Sequence, residues 1–362
     1  MRRRTRLLGI LVAAGLSLGP AAATHALSAG VSALPGADVA EARTAPRAAG
    51  FTVVRTTPRE PVGLYAPRRN EVWVLERDGD SGIVLQHLVG GRWTTTRLAG
   101  QLPSDGYRQA IDGSAWNEVW VAAGERIWQY DGRAWKHIAN PRLLSGESLP
   151  VTMVADGPGP GAYVATPHHG IFRHDGRTWT SLGHPRPQGT PRYPGEIRDT
   201  YWPLAMAVRD GRLYVSFEWF LQRAVHQLYR YDHDTWTQLA QGLGSRGTGA
   251  SEVPGAWILH DGRHLSVLGA VRVSSGSSMV IGGYCAAWTS SAATSRCTTG
   301  EAVGAGTLRP DGTVVVGGVD RVDTSVAGTP TVQGRFVLRD ATGRESAIPG
   351  DPGDATIAMA SE

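Results

Sequence analysis

Apolar and polar positions alternate in short runs along most of residues 51–362, and the runs recur in one order. Residues 119–121 (Val-Trp-Val) and 127–130 (Ile-Trp-Gln-Tyr) are representative. Aromatic and β-branched residues in such runs predict strands with one buried face. The gap between them is hairpin-sized, and Asp131-Gly132-Arg133 predicts a tight turn. The same phrase returns at 72–98, 119–138, 163–182 and 213–239, each time closing on a tryptophan, some polar residues and a further apolar position.

Repetition with a period of about 40 residues, each unit holding several short strands, predicts a β-propeller. Four strands per unit gives blades near 63–98, 107–138, 151–182 and 203–239. Further on, 271–284 and 307–320 each predict an inner strand, a turn and a second strand ending in Gly-Gly, and 334–348 predicts an outer hairpin. The fold class is therefore all-β, a propeller of four-stranded antiparallel blades, with six as the leading count. Residues 256–268 also read as an outer hairpin, and 51–55 could complete the last blade, so seven is the alternative. The 47 Gly and 22 Pro fall mostly between the strand-like runs, where turns need them.

Residues 1–26 read as an export signal: a basic start (Arg2, Arg3, Arg4, Arg6), an apolar stretch and small residues offering cleavage after Ala23 or Ala26. The apolar stretch is about 13 residues, short of the roughly 20 that a spanning helix requires. The expectation is a secreted, extracellular protein with no membrane insertion. Residues 27–50, rich in Ala, Gly and Pro and without an aromatic residue, read as a flexible segment before a single domain at 51–362.

Charge changes with that reading. The formal charge is +4, and removing the four leader arginines leaves zero, so the mature chain carries no electrostatic signature of nucleic-acid binding. Cys285 and Cys297, with eleven residues between them, read as one disulfide in an exported protein, worth about 3 kcal/mol as a loop closure. Their spacing fits neither Cys-x-x-Cys nor the usual zinc patterns.

Tyr130-Asp131 with Trp135, Tyr231-Asp232 with Trp236, and the pairs Gly282-Gly283 and Gly317-Gly318 resemble kelch repeats and the related galactose-oxidase-type propellers. The resemblance covers most of 60–350, but the double glycine is missing from the matching position of the first four blades and the Tyr-Asp from the last two. Asp175-Gly176-Arg177-Thr178-Trp179 is similar to the Asp-box of sialidases, yet lacks that motif's Ser and the residue between Asp and Gly.

Residues that recur in every unit are scaffold first. Trp93, Trp135, Trp179 and Trp236 are expected to pack between blades, with the aspartates capping turns. Function is expected where the repeat is broken. His168-His169, 218–223, the Cys285 to Cys297 segment and 320–332 read as loops between second and third strands, and 183–202 as an interblade connection. All would share one face. That face would carry the candidate ligand-binding residues His168, His169, Tyr193, Asp199, Tyr201, Trp202, Trp219, Phe220, Arg223 and Trp288. Aromatics beside Arg and Asp suit stacking on a sugar or a protein hot spot.

Beyond the leader, residues 27–362 contain no Gly-x-Ser-x-Gly, His-Glu-x-x-His or P-loop, and no metal or cofactor is expected. The expected function is non-catalytic binding of a glycan or an extracellular protein by a monomer. The alternative is an extracellular carbohydrate-active hydrolase or lyase with its site at the central mouth.

Overall fold

The computed structural model describes residues 8–10, 55–57, 59–68, 71–78, 82–99, 111–124, 126–140, 152–157, 159–166, 169–185, 201–220, 224–241, 251–260, 265–275, 278–289, 297–299, 302–308, 314–323, 331–340 and 345–348. Every regular element among them is a strand, and the described residues hold six four-stranded antiparallel sheets in sequence order. Their four-strand sets are Glu60–Arg68, Glu71–Asp78, Gly82–Val89 and Arg92–Ala99; Ile111–Ala115, Glu118–Ala123, Arg126–Tyr130 and Trp135–Ile138; Thr152–Ala155, Ala162–Thr166, Gly170–His174 and Trp179–Gly183. The fourth set is Tyr201–Arg209, Arg212–Phe220, Ala224–Asp232 and Thr235–Gln241; the fifth is Ser251–His260, Leu265–Ser275, Ser278–Thr289 and Cys297–Thr299; the sixth is Ala302–Leu308, Val314–Asp323, Thr331–Asp340 and Glu345–Ile348. No described helix is long and apolar enough to cross a membrane.

From the first sheet to the sixth, the opening strand of each sheet lies against the opening strand of the next. Inner edges converge and outer strands fan away, which is propeller geometry. The seams between sheets are apolar. Trp73, Leu75 and Leu85 meet Val119 and Val121 between the first and second sheets. Trp120 and Ile127 meet Met153, Val164 and Phe172 between the second and third. Tyr163 and Ile171 meet Met206, Val215 and Phe217 between the third and fourth.

Three of the four repeated tryptophans occupy these seams, as their recurrence predicts, whereas Trp93 packs against Leu64, Ala66, Val72 and Val74 of its own sheet. Trp135, Trp179 and Trp236, each on an outer strand, pack back into the seam with the preceding sheet. Their turns are built from the local sequence. Asp131 Oδ1 accepts the amides of Arg133 and Ala134, and Asp175 Oδ1 accepts those of Arg177 and Thr178. In the fourth sheet the same turn lacks glycine, and His233 and Asp234 both take positive φ, the type I′ requirement.

Two expectations are corrected. Residues 256–268 are the first hairpin of the fifth sheet rather than an outer one, and 271–284 spans its second and third strands rather than its first and second. Gly282-Gly283 and Gly317-Gly318 therefore lie within strands and do not end them. Arg55–Thr57 pairs with Leu8–Ile10 in a separate two-stranded sheet, and 51–54, expected to complete the last blade, lie outside the described residues.

Candidate functional site

Because the strands alternate in direction, connections from second to third strands leave a sheet at the end where its first strand begins. Connections from third to fourth strands leave at the opposite end. This separates the predicted residues into two groups.

His169 is in the second-to-third connection of the third sheet, as expected, and its turn is pinned locally. Thr166, fully buried, accepts the His169 amide on its hydroxyl at 3.1 Å and donates that hydroxyl to the Gly170 carbonyl at 3.2 Å. Gly170 has φ +84, and a Cβ there would stand 2.5 Å from the Gly183 carbonyl oxygen, so no other residue closes this turn. His168, Tyr193, Asp199 and Arg223 lie outside the described residues.

Tyr201, Trp202, Trp219 and Phe220 belong to strands rather than loops. The expected loop 218–223 is shorter than its reading, since the second strand of the fourth sheet continues to Phe220 and the third begins at Ala224. Register brings these aromatic positions together: Tyr201 stands opposite Trp219, Trp202 opposite Glu218, and Phe220 opposite Ala224. All four are at the end of the fourth sheet from which the second-to-third connection leaves.

Trp288 is not among them. It is one residue from the end of the third strand of the fifth sheet, opposite Val267, and the segment after it joins third and fourth strands. The expectation that the Cys285 to Cys297 segment shares the face of the other loops is corrected: it leaves from the opposite end. Cys285 and Cys297 themselves are register partners on adjacent antiparallel strands.

At the inner edge, a polar cluster escaped the sequence reading. Asp112, on the first strand of the second sheet, accepts the Ala155 amide at 2.9 Å from the first strand of the third, so it ties two inner strands together. Burial pushes its carboxyl up to about 6, against the opposing pull of the Ala155 and Gly113 amides. Glu118 is raised too, chiefly by burial, although the Ser114 hydroxyl donates to it at 2.9 Å. The Tyr65 phenol is raised by burial first and then by the charges of Asp112, Glu118 and Glu71. Its ring rests on Gly113, where a Cβ would approach to 2.5 Å. The missed signal is the repeated Glu-Val-Trp-Val at 71–74 and 118–121, which puts an acid at the same place in two units. Glu71 is held by His87, whose Nε2 is 2.9 Å from its carboxylate and whose ring stacks on Trp73 at 3.6 Å.

No family model matches the chain, and no curated protein matches its sequence. Among solved structures the chain is similar to the β-propeller domain of Cps50 (Swd1) from Myceliophteria thermophila, at 9% identity over 83% of this chain and 90% of that one, with a TM-score of 0.47. It is also similar to SapL1 lectin, solved with α-methyl fucoside, at 12% identity over 80% and 95% with a TM-score of 0.45. A third likeness is to AofleA from Arthrobotrys oligospora, at 12% identity over 81% and 88% with a TM-score of 0.43. Strand order and seams, rather than these likenesses, make the chain a β-propeller.

Proposed function

We propose that this is an exported, kelch-like, non-catalytic propeller that binds a glycan through the end of the fourth sheet carrying Tyr201, Trp202, Trp219 and Phe220. One observation carries the reading: four aromatic positions occupy neighbouring rungs at the end of one sheet, beside the connection that contains Arg223. Indole and phenol rings bind the apolar faces of sugars, and a guanidinium supplies donors to their hydroxyls or carboxylates. His168-His169 leaves the neighbouring sheet in the equivalent connection. Cleavage of 1–26 releases the protein outside the cell, where Cys285 and Cys297 close a cross-strand disulfide. Directly opposed strand positions place Cα atoms about 4.5–5.5 Å apart, within the span of that bond.

A glycan array, with a pull-down from the envelope of the producing cells beside it, tests the reading. Specific glycan retention by the wild type, lost in the Tyr201→Ala/Trp219→Ala double variant, supports it. Retention of a protein with no glycan signal, or equal glycan binding by both forms, contradicts it.

A second reading, a carbohydrate-active hydrolase or lyase, is favoured by one observation: Asp112, at the inner edge, titrates near 6 beside a second raised carboxyl, that of Glu118. Groups that exchange protons near neutrality are the raw material of general acid–base chemistry. Release of reducing ends from polysaccharides, abolished in Asp112→Asn or Glu118→Gln, is its signature.

A further inference from the structure

His174 joins two turns of the third sheet and a seam. It is 3% exposed. Its Nδ1 accepts the Gly176 amide at 3.1 Å, so the neutral ring carries its proton on Nε2, and the Pro160 carbonyl also hydrogen-bonds the imidazole. Gly176 begins the outer turn and Pro160 belongs to the connection between the first two strands, and the two are already in close packing: a Cβ on Gly176 would lie 2.7 Å from Pro160 Cγ. The imidazole is also wedged between indoles, 4.8 Å from Trp179 and 5.4 Å from Trp120 across the seam with the second sheet.

One neutral tautomer satisfies this arrangement. A second proton can enter only at Nδ1, and there it would face the Gly176 N–H, turning an accepted hydrogen bond into donor against donor. Nothing in a space this closed lets the ring turn away without moving an indole.

We propose that His174 is an acid-sensitive latch: proton uptake at Nδ1 frees the Asp175–Thr178 turn and, with it, Trp179 from the seam between the second and third sheets. Trp179 follows because it is the residue directly after that turn and is held across the seam through its indole N–H on the Ala139 carbonyl. The charged groups around the latch are Asp175, Arg177 and the Asp156–Arg173 pair on its own sheet. Across the seam are Asp112, opposite Trp120 in register, with Glu118 two residues before Trp120, and the Lys136–Asp131 pair on the outer hairpin. Burial holds His174 below the ordinary histidine value, against Asp175 and the Pro160 carbonyl, which favour the imidazolium. The sign follows: the unfolded chain takes up this proton from about 6.5 downward while the folded one resists, so the seam loses stability as pH falls through that range. The latch is independent of the proposed glycan site.

Hydrogen exchange and imidazole NMR on the full mature chain, from about pH 7.5 to 4.5, test it. The expected result is a fall of at least tenfold in amide protection across 174–179 as the His174 ring protonates, with a red shift in tryptophan emission. His174→Asn retains an acceptor for the Gly176 amide and cannot titrate, so its protection holds steady across the range; His174→Phe, which preserves the ring packing, does the same from a lower starting value. Asp112→Asn keeps the wild-type response. An imidazole that titrates while the turn amides stay protected overturns the latch, as does an unchanged acid response in both His174 variants or its disappearance in Asp112→Asn.

Discussion

The indole of Trp179 donates a hydrogen bond of 2.7 Å to the carbonyl of Ala139, 40 residues earlier at the end of the preceding sheet. Trp236 repeats the contact on Leu182 at 3.2 Å, one sheet further on. In the third and fourth sheets the outer strand is thus stapled to its predecessor by the repeated tryptophan, and in the second sheet Trp128, on the third strand, makes the corresponding bond to the Ala99 carbonyl at 3.2 Å. The indole fills the seam and its one donor finds a backbone carbonyl that the neighbouring outer edge leaves free.

Trp179→Phe keeps an aromatic ring in the seam and removes only the donor. The expected loss is about 1 kcal/mol of unfolding free energy, the net worth of one such bond, while Trp179→Ala loses about 3 kcal/mol or more through the cavity. Urea denaturation of the two variants against the wild type checks the difference.

Gly113→Ala tests the contact between the first two inner strands. The added methyl would meet the Glu118 carbonyl oxygen and the Tyr65 ring, each at 2.5 Å, and the first is backbone that cannot give way cheaply. Overpacking of this kind costs about 1–3 kcal/mol. Gly159→Ala, where nothing lies within 4 Å, is the matched control and should melt within a degree or so of the wild type.

Asp112 gives a pH dependence of opposite sign to His174. Its folded carboxyl titrates at about 6, above the unfolded value, so the folded state keeps a proton that the unfolded state has released. That contribution is fully present below about pH 4 and is lost as pH rises toward 6. Asp112→Asn retains an oxygen for the Ala155 amide and removes the titration. Relative to this variant, the wild type should lose on the order of 1–3 kcal/mol between pH 4 and 7, measured by denaturant unfolding at both.

The proposed disulfide between Cys285 and Cys297, which are register partners, predicts that protein recovered from the medium and denatured without reductant takes up no thiol alkylating agent. After reduction it takes up two equivalents. Alkylation of both cysteines before reduction would remove the disulfide from the account.

The first four sheets were legible to within a few residues because each carries the same local grammar. In the second, third and fourth sheets an Asp-Gly or Asp-His-Asp turn follows Tyr or His, in the first Gly90-Gly91 follows Val89, and in all four a tryptophan is the first or second residue of the outer strand. The grammar misled in the fifth sheet, where the turn after His260 resembles those of outer hairpins but joins first and second strands. A tight turn specifies a hairpin, not its place in a sheet. That place is set by Ser251–His260 lying against the first strand of the fourth sheet, a contact between residues some fifty positions apart. The same misreading carried Trp288 to the wrong end. Asp112 was illegible for a different reason: it is a single acid in a run of ordinary residues, and its raised carboxyl comes from burial where the first strand of the third sheet meets it, whereas Glu118 was marked by the repeated Glu-Val-Trp-Val.

The central claim is that ligand binds at the aromatic end of the fourth sheet. Titration calorimetry with the best glycan from the array, on the wild type, Trp219→Ala and Trp288→Ala, tests it most directly. Loss of one stacking contact on an aromatic ring is worth about 1–3 kcal/mol, or roughly tenfold to a hundredfold in Kd. The account predicts that loss in Trp219→Ala and an unchanged Kd in Trp288→Ala, which is at the opposite end. Equal weakening in both, or weakening in Trp288→Ala alone, would contradict it.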